Sequence, residues 1–177
     1  IVEIKQGQAR TAAATIKADT VVSALEGYHH GLRGGAGYIL PLQSLIVATE
    51  PLAESQWDDI GLHERQVFCD GSRLSTYGQR TADGRLVFGS RGSYDFGGKV
   101  INHFDSADPQ FELRRSLAVE LLPGLKGCEF THAWGGTLGF SRRSAPHVIY
   151  DEVAGFATAG GYGGEGVGES HLLGHTL

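Results

Sequence analysis

An α+β fold with a mixed or antiparallel sheet is predicted by the order of the chain's segments. Runs of strand length recur along it, one well-patterned helix interrupts them after Asp108, and a second helix closes the sequence. Turn signals between the strands, above all Asp83-Gly84, point to hairpins and not to crossovers.

The elements follow in chain order. Val2 to Lys5 and residues 12–18 read as short strands around a turn at Gly7. Asp19 to Leu25 is a nearly continuous apolar run, the pattern of a buried strand. After a Gly-rich loop at 31–37, Tyr38 to Thr49 reads as a long strand interrupted by Pro41. Glu54 to Ile60 predicts a short helix closed by Gly61 in the left-handed position that follows many helices. Strands are expected at 66–69, 74–80 and 85–90, the last two joined by the turn Thr81-Ala82-Asp83-Gly84. Asp108 can cap a helix and Pro109 suits its first turn. Phe111, Leu113, Leu117, Leu121 and Leu122 approximate a helical period, and Pro123-Gly124 ends it. Further strands are expected at 129–134, 136–141, 147–151 and 155–160, before a helix from Val167 to Leu177.

Composition narrows the class of function. Hydrophobic residues make up 41% and charged residues 20% of the 177, the balance of a globular chain. A formal net charge of -5 without a dense Lys/Arg block speaks against a nucleic-acid binder or a membrane-surface binder. The longest apolar runs, such as Leu45 to Ala48, are too short to span a bilayer. Cys69 and Cys128 stand apart with no CxxC, so neither a zinc site nor a disulfide framework is indicated, and reducing cytoplasm is the default compartment. There is no methionine, even at position 1, and both ends break off mid-pattern, so a longer parent sequence is expected. Gly is 27 of 177, about twice the usual share. It clusters in the last third, which implies tight turns or backbone held close to a ligand.

The densest cluster runs from Gly160 to Gly168, between a strand and a helix. Gly161, Gly163 and Gly166 satisfy G-x-G-x-x-G literally, but a dinucleotide fold needs a further strand and an acidic residue about twenty positions on, and the chain ends first. Two readings stay open: a structural turn, or a helix N-terminus whose unpaired N–H groups face a ligand with electron-rich oxygens. His171 and His175 are spaced like a metal pair on a helix, yet the H-E-x-x-H order is absent and an exposed face is expected. His29-His30 reads as a loop feature, and His132, beside Trp134, as a core histidine. No G-x-S-x-G elbow is present, and no catalytic acid, base or nucleophile can be named.

Several segments together resemble the D-amino-acid oxidase superfamily of FAD-dependent oxidoreductases, which includes glycine, sarcosine and γ-glutamylputrescine oxidases. They are Ile46 to Leu52, Arg80 to Gly92, Thr131 to Gly136 and Gly160 to Val167, and they occur in the family's order over nearly the whole chain. The resemblance implies the C-terminal, substrate-side portion of such an enzyme. Residues 1–37 would be late strands of the FAD domain, 38–134 the substrate-binding domain, and 135–177 the return to the FAD domain.

It implies, further, that the backbone of Gly161, Tyr162, Gly163, Gly164, Glu165, Gly166 and Val167 meets the flavin pyrimidine ring. Trp134, Gly135 and Gly136 would run beside the isoalloxazine face. Some relatives attach flavin through a nearby cysteine; with Trp134 in that segment, non-covalent FAD is expected. The Rossmann fingerprint that holds the ADP half has no match here, so the missing N-terminal half would be the chief partner, with homo-oligomerisation through open strand edges a further expectation. The implied substrate is a small amine or amino acid, whose C–N bond is oxidised to an imine. Arg80, Arg91 and Arg142 are candidates to pair with its carboxylate and Tyr77 and Tyr94 to line its pocket, against solvated arginines and ordinary strand packing. The alternatives are a non-catalytic remnant of the same fold that takes no flavin and a helix-borne metal site at His171.

Overall fold

The computed structural model describes residues 1–34, 37–92 and 98–177. The fold is α+β with mixed and antiparallel sheets, as the segment order predicts. Two compact units are formed. One takes residues 1–42, 98–100 and 137–177, the other 43–92 and 101–136.

In the first unit, β1 (Glu3–Lys5), β2 (Gln8–Arg10) and β3 (Thr15–Lys17) make an antiparallel meander. The segment 12–18 is thus shorter as a strand than its sequence suggests. Thr11 breaks it, its hydroxyl accepting from the N–H groups of Ala13 and Ala14 to hold a turn. A second sheet places β11 (Phe156–Gly160) between β4 (Val21–Ser23) and β10 (His147–Asp151). β4 runs parallel to β11 and β10 antiparallel. α3 (Gly166–Thr176) follows.

The second unit holds the hydrophobic core. Its five-stranded sheet has the order β6 (Val67–Cys69), β7 (Thr76–Arg80), β8 (Leu86–Arg91), β5 (Ile39–Thr49), β9 (Phe130–Ser141). β5 and β9 are single strands that pass from one unit into the other. Pro41 does not interrupt β5, and the break expected at residue 135 is absent from β9. α1 (Glu54–Ile60) ends at Gly61, whose φ of +80° lets its N–H return to the Trp57 carbonyl at 2.8 Å. α2 (Pro109–Leu121) is capped by Asp108, whose carboxylate accepts from the Gln110 N–H at 2.8 Å. Leu45, Val47, Leu52, Trp57, Leu86, Phe88, Phe111, Ala118 and Leu125 form one buried cluster. Burying each large member contributes about 1.5–3 kcal/mol.

The helical period of α2 is real, with Phe111 buried and Leu117 and Leu122 packed against the core, but the buried face is shifted from the expected one. Phe111, Arg114 and Ala118 face inward, whereas Leu113 and Leu121 are exposed. His132 likewise lies on the exposed side of β9, its Nδ1 2.8 Å from the Thr131 hydroxyl, and is not a core histidine. Among the described residues no helix is long and apolar enough to cross a membrane.

Candidate functional site: a carboxylate-clamped glycine turn

The Gly160–Gly168 segment leaves β11 and turns into α3 through three glycines with positive φ, Gly161 at +76°, Gly163 at +63° and Gly164 at +116°. No L side chain adopts the last of these without strain. The backbone donors of this turn divide cleanly. Gly161 N–H and Tyr162 N–H donate to the Glu26 carboxylate at 2.7 and 3.1 Å. Gly163 N–H donates to the Gly139 carbonyl at 3.0 Å, and Glu165 N–H to the Tyr162 carbonyl at 3.1 Å. The Gly168 and Glu169 N–H groups turn back to the Glu165 carbonyl, both at 3.1 Å. Gly164, Gly166 and Val167 offer N–H groups that find no acceptor among the described residues. These are the orphan donors of a helix start, at the positive end of its dipole. Val167 is 99% exposed beside them.

Glu26 carries no motif in the sequence, because its partners lie 113 to 136 residues further on. It stands just after β4, and its carboxylate takes a third donor, the Gly139 N–H of β9 at 3.1 Å. Tyr162 pairs with Phe140 of the same strand. The Tyr162 hydroxyl is pushed above its ordinary range, first by burial and then by the charges of Glu26 and Glu169.

The other sequence-derived candidates are distributed. Trp134, Gly135 and Gly136 lie on β9 within the second unit. Trp134 is 42% exposed and Gly136 has open space where a Cβ would stand, while a Cβ on Gly135 would come within 2.7 Å of Leu45. Arg80 ends β7 with its guanidinium committed. It donates to Glu54 at 2.6 Å and to the Leu62 and His63 carbonyls at 3.2 and 3.3 Å, and stacks over Trp57 at 4.7 Å. Arg91 at the end of β8 and Arg142 after β9 are exposed and make no ion pair with a described residue. The Tyr77 hydroxyl is hydrogen-bonded to Ser44, and its ring covers Gly89. Tyr94 lies outside the described residues.

Arg114 escapes sequence reasoning, and His29 and Cys128 have surroundings that it does not reveal. Arg114 is 2% exposed, donating to the Gln110 carbonyl at 2.9 Å and to the Arg91 carbonyl. Burial lowers its pKa, opposed by Tyr77 and Asp108. His29 holds Ser23 Oγ at 3.0 Å through Nδ1, and burial, then the charge of His147, lowers its pKa. Cys128 is half-buried and free, its thiol pushed up by burial and by Glu50, so it has no nucleophile character. No group of three or more His, Cys, Asp and Glu gathers among the described residues, and His171 and His175 lie exposed on α3.

Comparison with known proteins agrees with the fold. The DAO family, described as FAD-dependent oxidoreductases, matches residues 1–177. A probable oxidoreductase OrdL of Rhizobium meliloti is 32% identical over 158 residues, which cover 89% of this chain and 34% of the relative. The OrdL of Haemophilus influenzae is 27% identical over 180 residues, covering 96% of this chain and 37% of that protein. The chain therefore spans about a third of the length of these relatives. Among solved structures, glycine oxidase from Geobacillus kaustophilus superposes with a TM-score of 0.71 at 18% identity, over 93% of this chain and 41% of its own. L-proline dehydrogenase from P. horikoshii gives 0.65 at 17%, over 90% and 41%. At that identity the two structures speak for the fold alone; the match over the full length speaks for the family. The chain belongs to the DAO family of FAD-dependent oxidoreductases.

Proposed function

We propose that this chain is the substrate-binding and flavin-capping portion of an oxidoreductase that converts the C–N bond of an amine or amino acid to an imine. The observation that carries the reading is the trio of open N–H donors at Gly164, Gly166 and Val167, at the start of α3 in a chain of an FAD-dependent family. The residues present fit a flavin ring edge. The donors are unsatisfied, and a Cβ at Gly164 would meet only Leu138 Cδ1 at 3.9 Å, so backbone there is open to a flat ligand.

Bound FAD supplies the two-electron acceptor for the C–N bond. The chain's own part is electrostatic and steric. Negative charge that develops at the ring edge is stabilised by the α3 N-terminus and its donors, an effect of about 0.3–2 kcal/mol. Gly161, Tyr162, Gly163 and Glu165 hold the shape of that turn, and Trp134, Gly135 and Gly136 offer a strip of backbone and one exposed ring for the isoalloxazine face. An amino-acid substrate is oriented through its carboxylate by Arg91 or Arg142, since Arg80 is already held by Glu54 and Trp57. Tyr77, whose ring covers Gly89, is the described candidate for the pocket wall. No side chain is assigned the substrate proton, because a neutral bound amine needs no strong base.

The test is purification of the chain extended upstream to the length of its relatives, beside the chain alone. A visible flavin spectrum in the longer protein, bleached by an amine or amino acid, is the expected result. A folded longer protein with neither flavin nor amine-dependent reduction of an acceptor would overturn the reading and favour a non-catalytic fold.

A further inference from the structure

Glu26 is built into the first unit in a way that a surface carboxylate is not. Its backbone adopts a φ of +48°, a left-handed conformation that costs a non-glycine residue of order 1 kcal/mol or more. The conformation persists because the side chain takes three main-chain donors from two distant segments, Gly139 N–H, Gly161 N–H and Tyr162 N–H. The surroundings are cut to admit it. A Cβ on Gly160 would stand 2.9 Å from Glu26 Oε2, and one on Gly139 would stand 3.0 Å from Glu26 Cδ. A Cβ on Gly27, the next residue, would lie 2.5 Å from the Leu138 carbonyl oxygen. Backbone 26–27 is therefore in direct contact with backbone 138–139, and any side chain at these glycines would push the carboxylate off its donors.

We propose that Glu26 is the positioning residue of the flavin-facing turn: an internal anion that occupies an oxyanion seat made by the amides of residues 139, 161 and 162. This rests on the flavin reading given above. By taking the first two donors of the turn inward, the carboxylate fixes which amides remain outward, namely those of Gly164, Gly166 and Val167. Charge-assisted bonds to backbone N–H are about twice as strong as neutral ones, and only a carboxylate offers acceptors on both oxygens. Glutamine at this position presents an NH2 to an N–H donor, so it holds the turn by one oxygen at most.

The informative variant is Glu26→Gly. Glycine accepts the positive φ without strain, so the fold is kept while the seat is emptied. In the flavin-loaded full-length protein, Glu26→Gly is expected to raise the flavin Kd about tenfold, a loss of about 1.4 kcal/mol, and to shift the flavin absorption bands. Formate, a carboxylate small enough for the vacated seat, is expected to restore both saturably, whereas chloride at equal ionic strength does not. Glu26→Gln is expected to fall between wild type and Glu26→Gly, without formate rescue. On the chain alone, formate is expected to raise the melting temperature of Glu26→Gly and leave that of the wild type unchanged. A Glu26→Gly protein with wild-type flavin Kd and spectrum overturns the positioning role and leaves the flavin reading standing. Weakened binding that formate does not rescue overturns the internal-anion assignment. A wild-type full-length protein without flavin overturns the flavin reading itself and the positioning role with it.

Discussion

Removing the Arg80 guanidinium tests whether this arginine serves the substrate or the fold. Four contacts of three kinds are lost in Arg80→Ala. The ion pair with Glu54 is short, at 2.6 Å, but the Glu54 side chain is 80% exposed, so solvent screening leaves it about 0.2–1 kcal/mol. Stacking over Trp57 is better shielded: the Arg80 side chain is only 13% exposed and Trp57 is fully buried, which is consistent with about 1–2 kcal/mol. The bonds to the Leu62 and His63 carbonyls, at 3.2 and 3.3 Å, close the segment after α1 and add about 1 kcal/mol. The sum is about 2–4 kcal/mol, or about 5–15 °C in melting temperature for a chain of this size. Urea unfolding of Arg80→Ala and Arg80→Lys reads it. Lysine keeps the charge but not the planar fork, so it is expected to recover less than half of the loss. Glu54→Ala is expected to cost under about 1 kcal/mol. In the full-length enzyme the substrate KM is expected to stay within about twofold of wild type, since an arginine that meets no substrate has no share in uniform binding. A Cm unchanged by Arg80→Ala, together with a raised KM, would refute the structural assignment and return Arg80 to the substrate.

Other perturbations separate packing from electrostatics. Arg114→Ala strips the buried guanidinium from the Gln110 and Arg91 carbonyls and leaves a cavity, at a cost of about 2–4 kcal/mol in urea unfolding, and Arg114→Met recovers at least half of it by filling the space. Gly61→Ala forces a side chain into a φ of +80° where nothing else is in contact, so its loss is backbone strain alone, about 1 kcal/mol in the same assay. The folded-state pKa of His29 lies below the ordinary imidazole value of about 6.5, so beneath that value the unfolded chain takes up a proton that the folded one resists. Stability contributed by neutral His29 is thus full above about pH 6.5 and is lost as pH falls through the lowered pKa. His29→Asn is expected to flatten the melting temperature between pH 7 and pH 5, and an unchanged slope would discard the linkage.

Local chemistry was legible wherever a residue acts on its own neighbours. The Asp108 cap, the Gly61 terminus and the Asp83-Gly84 hairpin all stand where turn and capping rules put them, because each is decided within four residues. What escaped was decided at long range. Arg114 lies outside the apolar set read for α2, yet it is buried and donates to the strand-end carbonyl of Arg91, while Leu113 is exposed. β9 reads as two strands broken at Gly135, but a single strand paired with β5 runs through it. Asp19 to Leu25 has the apolar content of a longer strand than the Val21–Ser23 that forms, since only those residues find a partner in β11. Glu26, three residues past that strand, gave no signal, for a carboxylate becomes an anchor only where distant amides converge on it.

The literal G-x-G-x-x-G of Gly161, Gly163 and Gly166 shows why spacing alone cannot assign a ligand. A dinucleotide fingerprint works because successive amides and a helix start all point at one pyrophosphate. Here the amide of the first glycine is spent on Glu26, and that of the second on the Gly139 carbonyl. Among the described residues what remains open is the Gly164 donor and the first two donors of α3, a set that on the proposed reading meets one or two acceptor atoms at the edge of a flat ring. A negative charge already seated on the inner amides would also oppose a second, doubly charged group beside it, while a single charge spread over a ring edge meets less of that opposition. The same glycines thus match the spacing of a phosphate loop without its contiguous free donors. On the flavin reading proposed above, the closing turn is fitted instead to a ligand whose charge is small, delocalised and present in only one of its redox states.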